Sequence, residues 1–177
     1  DSGTPLLAVE NLQVEFDTYG GIVQAVRGVS FSVEQRQTLA VVGESGCGKS
    51  VTVQSIMGLI PTPPGRIKAG SARLRGHEIL GRSTIGGKQI RGAEIGMIFQ
   101  DPMTSLNPTM TIGDQIAEPL QVHRGYSARD AFTEAIRLLE LSKIPEAAKR
   151  ARQYPFEFSG GMLQRAMIAM ALSCKPS

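Results

Sequence analysis

The sequence contains one short stretch whose glycines, lysine and serine have the spacing of a phosphate-binding loop. Residues 43–50 read GESGCGKS and match the pattern G-x-x-x-x-G-K-[ST] throughout. A short apolar run, residues 38–42, precedes the loop, and a run with helical character, residues 49–59, follows it. Strand, loop and helix therefore stand in the order that the pattern requires. The alternative is a chance glycine-rich turn without a ligand.

Each residue type in this loop suits the binding of phosphate groups. Gly43, Gly46 and Gly48 let the backbone curl until successive N–H groups point at an anion. Lys49 reaches the β- and γ-phosphates near the positive end of a helix dipole, and the Ser50 hydroxyl is an expected ligand of Mg²⁺. The predicted nucleotide-binding residues of this loop are Gly43, Glu44, Ser45, Gly46, Cys47, Gly48, Lys49, Ser50 and Val51.

Alternating and apolar runs predict the strands that position this loop. Residues 6–16 and 22–33 alternate apolar and polar side chains, as half-buried strands do. Residues 38–42 and 95–99 are short uninterrupted apolar runs, which are typical of parallel strands buried on both faces. Residues 72–80 predict an edge hairpin.

Helical patterns dominate the second half of the chain. Residues 127–141 form the clearest helix, with Ser127 at the N-cap and Asp130 three residues later. Pro145 fits the first turn of the next helix, whose basic cluster is expected to be a solvated face. An apolar helix is predicted over residues 162–173.

A second motif, FSGGMLQR at residues 158–165, opens this last helix. Ser159 can cap the helix, and Gly160 and Gly161 leave bare N–H groups at its start. Taken alone, the motif fits an ordinary helix cap with no ligand. Its distance from the phosphate loop and the Gln164-Arg165 pair that follows it distinguish the motif from an ordinary helix cap.

Composition sets limits on the class of protein. The 177 residues are 41% hydrophobic, which predicts a soluble globular chain of one domain with at most a small insert. A net charge of +3 with scattered basic residues gives no argument for a nucleic-acid partner. We see no signal pattern and no apolar run long enough to span a membrane, so we expect a cytosolic chain that meets the membrane only through a partner. Cys47 and Cys174 have no metal-ligand spacing, and the Cys47 side chain is expected to point away from the phosphates.

The two motifs together resemble those of ABC-type ATPases, whose signature reads LSGGQ followed shortly by QR. The resemblance covers nearly the whole chain and narrows to the ATP-binding subunits of bacterial oligopeptide and dipeptide permeases. The stretches that carry the resemblance to this subgroup are AVRGVSF at 25–31, VVGESGCGKS at 41–50, MIFQDPMTSLNP at 97–108, PEAAKR at 145–150 and YPFEFSGGMLQRAMIAMAL at 154–172.

The resemblance implies a fold and a division of the chain. The expected fold is α/β: a P-loop NTPase (RecA-like) core with an antiparallel β subdomain and an inserted α-helical subdomain. The expected parts are a nucleotide-binding core at residues 1–105, a helical subdomain at 106–157, and the signature motif with its helix at 158–177.

The resemblance also implies further site residues and partners. Gln100 would position Mg²⁺ and the attacking water, and Tyr19 would stack on adenine, although a surface tyrosine in a turn is the alternative. Ser159, Gly160, Gly161 and Met162 would face the γ-phosphate bound to a second ATPase subunit. Two membrane-spanning permease subunits, and indirectly an extracytoplasmic peptide-binding protein, would complete a peptide importer at the cytoplasmic face of the bacterial inner membrane. Its ATPase reaction would be phosphoryl transfer from ATP to water.

The sequence departs from the family pattern at several positions. Arg36 stands where a glycine is usual, Phe156 where histidine is frequent, and Leu163 where arginine is frequent. In the family, the Walker B Asp, the catalytic Glu and a switch His follow this region, whereas this sequence ends at Ser177. We therefore expect this chain to bind ATP without hydrolysing it, and to be unstable or prone to aggregation alone. Two alternatives stay open: a non-catalytic nucleotide-binding or interaction fragment, and an ABC-type ATPase for another substrate, including one that acts on DNA.

Overall fold

A computed structural model describes residues 3–86 and 88–176. Of the predicted parts, the core at residues 1–105 begins at Asp1 and the signature part at residues 158–177 ends at Ser177. Both of these end residues lie outside the described part of the chain. The chain divides into two compact units, Asp1–Ile90 and Arg91–Ser177. In the described part of the chain, no helix is long and apolar enough to cross a membrane.

A four-stranded antiparallel sheet forms the frame of the first unit. Strands β1 (Leu7–Thr18) and β2 (Gly21–Val33) form a hairpin, and β3 (Gly65–Leu74) pairs with the other side of β1. With β4 (His77–Glu78) the strand order is β2-β1-β3-β4. The predicted hairpin at residues 72–80 is confirmed, but its first strand lies inside the sheet rather than at the edge.

One face of this sheet packs on a helix. Helix α1 (Lys49–Ile56) contacts β1 and β2, where its Ile56 joins the buried side chains of the sheet. Leu12 and Val14 of β1 are both buried, and Val14 pairs with the buried Val26 of β2. Two further short strands, β5 (Thr84–Ile85) and β6 (Lys88–Gln89), form a separate hairpin.

A carboxylate ties the β3–β4 hairpin together. The Glu78 side chain accepts hydrogen bonds from the Ser71 hydroxyl and from the N–H groups of Ala72 (3.0 Å) and Leu80 (3.1 Å). Burial alone would raise the pKa of Glu78, but these hydrogen bonds and the nearby charge of Arg73 together hold its pKa below the ordinary value.

Three long helices build the second unit. They are α3 (Ile112–Arg124), α4 (Ala128–Leu141) and α6 (Gly160–Leu172). The short helix α2 (Pro102–Ser105) precedes α3, and the short helix α5 (Ala147–Arg150) lies between α4 and α6 in the chain. A side-chain oxygen caps each long helix by accepting an N–H from its first turn, and the capping residues are Thr111, Ser127 and Ser159. The predicted helix at residues 127–141 and its N-cap are confirmed.

The core of this unit forms where the three long helices meet. Apolar side chains of α3, α4 and α6 pack there, among them Ile112, Ile116, Leu120, Leu139, Leu163 and Met167. Gly113 permits α3 to pack closely against Phe132 of α4 and the backbone at Ala151. A Cβ at this position would lie 2.6 Å from the Phe132 ring and 2.7 Å from the Ala151 carbonyl oxygen. The family departure at Leu163 thus places an apolar side chain in an apolar core.

The two predicted parallel strands are absent from the described structure, so this prediction is wrong for the chain as it stands. Residues 38–42 are irregular and exposed, and Val42 is 87% exposed. In residues 95–99, only Ile95 forms an isolated bridge, to Arg91. A strand buried on both faces needs paired neighbours for its backbone groups, and no described strand lies beside either segment.

Three helices differ in extent from the predictions. Helix α1 ends at Ile56 rather than at residue 59, just before Gly58 adopts a left-handed conformation. Helix α5 covers only Ala147–Arg150, because Glu146 before it is left-handed (φ 50°). Helix α6 begins two residues earlier than predicted, immediately after its Ser159 cap.

Candidate nucleotide-binding site

The phosphate loop leads into helix α1, as the sequence predicts, but it follows an irregular segment, residues 38–42, rather than the predicted strand. Gly48 is the N-cap of α1 with a φ of 89°, and Gly46 has a φ of 82°. Both residues lie in the left-handed region that favours glycine. The loop therefore turns its backbone directly in front of a helix N-terminus, which is the geometry of an anion site.

Close contacts explain why two loop glycines cannot easily be replaced. A Cβ on Gly48 would lie 2.5 Å from the carbonyl oxygen of Ala25 in β2. A Cβ on Gly43 would lie 2.6 Å from the Cys47 Sγ atom. The loop is thus packed against β2 on one side and folded on itself on the other.

Lys49 holds the two ends of this loop together. Its Nζ atom donates to the carbonyl oxygens of Gly43 at 2.5 Å and Glu44 at 2.6 Å. An ammonium group has three donors, and the third is directed at the Cys47 Sγ atom at 3.5 Å, a weak acceptor that a phosphate oxygen can replace. The lysine is consequently anchored at the loop and can offer its charge and a hydrogen bond to a phosphate oxygen.

The position of Cys47 differs from the prediction that its side chain points away from the phosphate site. Its Sγ atom lies 3.5 Å from Lys49 Nζ, on the side of the loop where the lysine predicted to bind phosphate lies. The physical reason is the missing Cβ of Gly43, whose space the sulfur occupies.

Ser50 and Val51 belong to the first turn of α1. Ser50 is exposed, and among the described residues its hydroxyl makes no hydrogen bond. A free hydroxyl in this position has the oxygen chemistry that Mg²⁺ prefers, so Ser50 fits the predicted metal ligand.

A cavity of about 560 Å³ lies between the loop and β2. Gly46 and Cys47 of the loop and Thr52 of α1 line one side, and residues of β2 form the other wall: Val23, Gln24, Ala25, Val26, Arg27 and Val29. Sequence reasoning missed these β2 residues as part of the site. Their alternating pattern predicted the strand, but only the tertiary contact between Gly48 and Ala25 brings that strand to the loop.

Tyr19 lies in the turn of the β1–β2 hairpin and is fully exposed. It does not line the cavity beside the loop, so its stacking on a base stays a prediction. Phe16 is a second aromatic residue on the same hairpin. It is half-buried and pairs across the sheet with Val23, which does line the cavity.

The other predicted site residues belong to the second unit. Gln100 is exposed and precedes Asp101, whose side chain caps α2 by accepting the Met103 N–H at 3.0 Å. Ser159 accepts the Met162 N–H at 3.3 Å, and Gly160 and Gly161 have no atom within 4 Å of an added Cβ. The first turn of α6 is therefore open to an anion.

Two aromatic rings stand just before this signature motif. Tyr154 and Phe156 stack with ring centroids 5.9 Å apart, and Phe156 is 73% exposed. Phe158, by contrast, is buried in the helical core and anchors the start of α6. The family departure at Phe156 thus affects an exposed ring and no phosphate donor.

A glycine-rich loop with left-handed Gly46 and Gly48 before a helix, joined in one chain to a capped SGG turn, is the pattern of a nucleotide-binding cassette. The family profile described as "ABC transporter" matches residues 26–177, and the chain belongs to this family. Its fold is that of ABC ATPase cassettes: a dimeric bacterial ABC transporter cassette, MJ0796, superposes with a TM-score of 0.81 at 24% identity. That match covers 96% of this chain and 70% of the other.

Among curated proteins, the chain is similar to ATP-binding proteins of peptide transport. It is 55% identical over 173 residues to the oligopeptide transport ATP-binding protein OppD of Bacillus subtilis, which covers 98% of this chain and 48% of the relative. It is 53% identical over 171 residues to the dipeptide transport ATP-binding protein DppD of the same organism, at 97% and 51% coverage. The chain spans about half the length of the curated relatives it matches.

Proposed function

We propose that the chain is the nucleotide-binding part of an ATP-binding subunit of an ABC importer for oligopeptides or dipeptides. The observation that carries this proposal is the phosphate loop, in which left-handed Gly46 and Gly48 and the anchored Lys49 converge before helix α1. The similarity to OppD and DppD supports the peptide substrate class.

Each site residue has a distinct task in this proposal. The N–H groups of residues 45–48 and the N-terminus of α1 bind the phosphates, while Lys49 adds a charge-assisted hydrogen bond. Ser50 holds Mg²⁺, which would neutralise charge on the transferred phosphoryl group. Gln100 orients the attacking water, since an amide both donates and accepts.

The signature residues act on a nucleotide bound to another subunit. Gly160 and Gly161 offer N–H groups at an open helix start, and the Ser159 side chain caps the same turn. Two ATPase subunits would close around ATP and would bind two membrane-spanning permease subunits at the cytoplasmic face of the membrane. An extracytoplasmic peptide-binding protein would deliver the substrate.

The 177-residue chain is proposed to bind ATP without turning it over. The one carboxylate among the residues assigned to the site is that of the loop residue Glu44, and this proposal gives it no part in polarising the attacking water, a task that typically contributes about 10²–10⁴-fold to a rate. Binding needs only the loop, its lysine and the helix N-terminus, and all three are formed in the first unit.

A paired assay tests the proposal. We expect ATP titration to show saturable binding that Lys49→Ala weakens, whereas phosphate release stays at the background level of the Lys49→Ala variant. Absence of saturable ATP binding would contradict the nucleotide site. Phosphate release well above that background would show that the base lies within these residues.

A further inference from the structure

Away from the phosphate loop, the sheet of the first unit carries a basic groove of about 630 Å³. Its charged lining comes from three neighbouring strands: Glu15 from β1, Arg27 from β2, and Arg66 and Lys68 from β3. The strand register places Glu15 directly between Gln24 and Arg66. Strand β1 thus runs through the centre of the groove with cations on both sides.

Glu15 organises one side of this groove. It is only 4% exposed, and its carboxylate forms an ion pair with Arg66 at 2.5 Å and a longer one with Lys68 at 3.7 Å. A buried carboxylate is costly without such partners, so Arg66 is held in place to satisfy it. About half of the Arg66 and Lys68 side-chain surface stays open to solvent.

The positive side chains exceed what the carboxylate can neutralise. Three cations face one anion, and the Arg27 guanidinium makes no hydrogen bond or ion pair among the described residues. The Lys68 ammonium has only the long contact to Glu15. The groove therefore retains excess positive charge and several unused N–H donors.

A smaller, more enclosed cavity of about 110 Å³ adjoins this groove. Gln13, Glu15, Gln24, Arg27 and Lys68 line it, so amide donors complement the two cations. A single carboxylate side chain of a partner protein would neutralise only one of these charges. A small ligand with several negative charges matches the set better.

We propose that this groove binds a small phosphate-bearing polyanion at a site separate from the phosphate loop. Arg27 and Lys68 would hold the anion directly, and the Glu15–Arg66 pair would fix the floor. Val23, Gln24 and Arg27 also line the cavity beside the loop, so the two sites share the β2 wall, whereas the loop residues Gly46 and Cys47 line only the cavity beside the loop. Anion binding in the groove does not depend on nucleotide binding at the loop.

The test uses inorganic pyrophosphate, titrated by calorimetry without Mg²⁺ into the 177-residue chain. The Lys49→Ala background weakens anion binding at the loop, and the groove variants then show whether the remaining binding belongs to the groove. In that background we expect saturable binding, and a further Arg27→Gln/Lys68→Gln pair should weaken it at least tenfold, as expected for lost charge-assisted bonds. The matched control, Arg82→Gln/Arg129→Gln, removes the same charge from residues that do not line the groove, and should leave binding within about twofold.

A second variant keeps the test decisive if the double substitution weakens folding. Glu15→Gln removes the one anion that competes for Arg66 and Lys68, so we expect pyrophosphate affinity to rise several-fold. No binding in the Lys49→Ala background, or equal losses in the groove and control pairs, would overturn the proposal. The proposal would also be overturned if a poly-glutamate peptide bound more tightly than pyrophosphate and pyrophosphate failed to displace it. That result would assign the groove to an acidic protein segment.

Discussion

The Lys49 Nζ atom lies 2.5 Å from the Gly43 carbonyl oxygen, so the residue expected to bind phosphate also closes the loop that holds it. These two residues start and finish the glycine-rich turn. A change at Lys49 therefore removes a positive charge and releases the loop in one step.

Replacing Lys49 by alanine should weaken ATP binding by at least tenfold. Charge-assisted hydrogen bonds contribute about 1.5–3 kcal/mol each, and the loop also loses its two bonds to Lys49. The measurement is a fluorescence titration with a nucleotide analogue and ATP competition. Lys149→Ala, an exposed lysine of α5, is the control; equal affinities in the two variants would rule out this role for Lys49.

Tyr19→Ala tests whether an exposed turn aromatic stacks on the base. Stacking would contribute roughly 1–3 kcal/mol, so alanine should weaken ATP binding accordingly and Tyr19→Phe should have little effect. Affinity for inorganic triphosphate, which has no base, should not change in either variant. If Tyr19→Ala binds ATP like the original chain, Phe16 becomes the aromatic to examine, because its strand partner Val23 lines the cavity.

Gly161→Asp should leave ATP binding by one chain intact but abolish ATP-dependent association of two chains. The structure leaves room for the side chain, since no atom lies within 4 Å of an added Cβ. A carboxylate at this helix start would face the triphosphate of the second subunit, and like charges in contact are costly. Light scattering with and without ATP measures association, and Gly161→Ala is the uncharged control. An intact ATP-dependent dimer in Gly161→Asp would refute the predicted contact.

Arg36→Gly should stabilise the first unit. Arg36 has a φ of 64°, where a residue with a Cβ costs about 1–2 kcal/mol. Glycine removes this strain but adds about 0.4–1 kcal/mol of unfolded-state entropy, which leaves a gain of at most about 1.6 kcal/mol, centred on about 0.8 kcal/mol. Urea unfolding measures the difference. Arg82→Gly, at an exposed position without a positive φ, should instead be slightly destabilising; a loss at Arg36 as well would contradict the argument.

The stabilisation from Glu78 should disappear in acid. Its pKa is held below 4.5 in the folded chain, so its contribution is complete above about pH 5 and declines as the pH falls through the folded pKa. Glu78→Gln should be less stable at neutral pH by about 1 kcal/mol, and this deficit should shrink below pH 4.5. The measurement is urea unfolding across the pH range, with Glu140→Gln in α4 as the control. A deficit that is constant down to pH 2 would refute the role of the charged form.

Local signals explain which elements the sequence predicts well. The Ser127 cap and the periodicity that follows it specify α4 almost without help from other parts of the chain. The phosphate loop is similarly local, because its glycines, Lys49 and the helix start all fall within residues 43–50. Both features lie at the positions that the sequence predicts.

Non-local contacts explain the rest. Residues 38–42 and 95–99 have the composition of buried parallel strands, yet a strand exists only where other strands pair with it. The wall that β2 supplies to the nucleotide cavity depends on the packing of Gly48 against Ala25, which no sequence pattern encodes. The sequence marks Arg36 only as an unusual residue at a turn, since its left-handed φ is a property of the folded backbone.

Because residues 38–42 pair with no described strand, the exchange rate of their amide protons indicates whether another strand has paired with them. Without strand partners, these N–H groups should exchange with deuterated solvent in seconds, whereas those of β1 at the centre of the sheet should be protected for much longer. Any chain segment or subunit that adds a strand beside them would slow their exchange. Mass spectrometry of one short peptide just before the phosphate loop would then reveal when such a strand pairs with these residues.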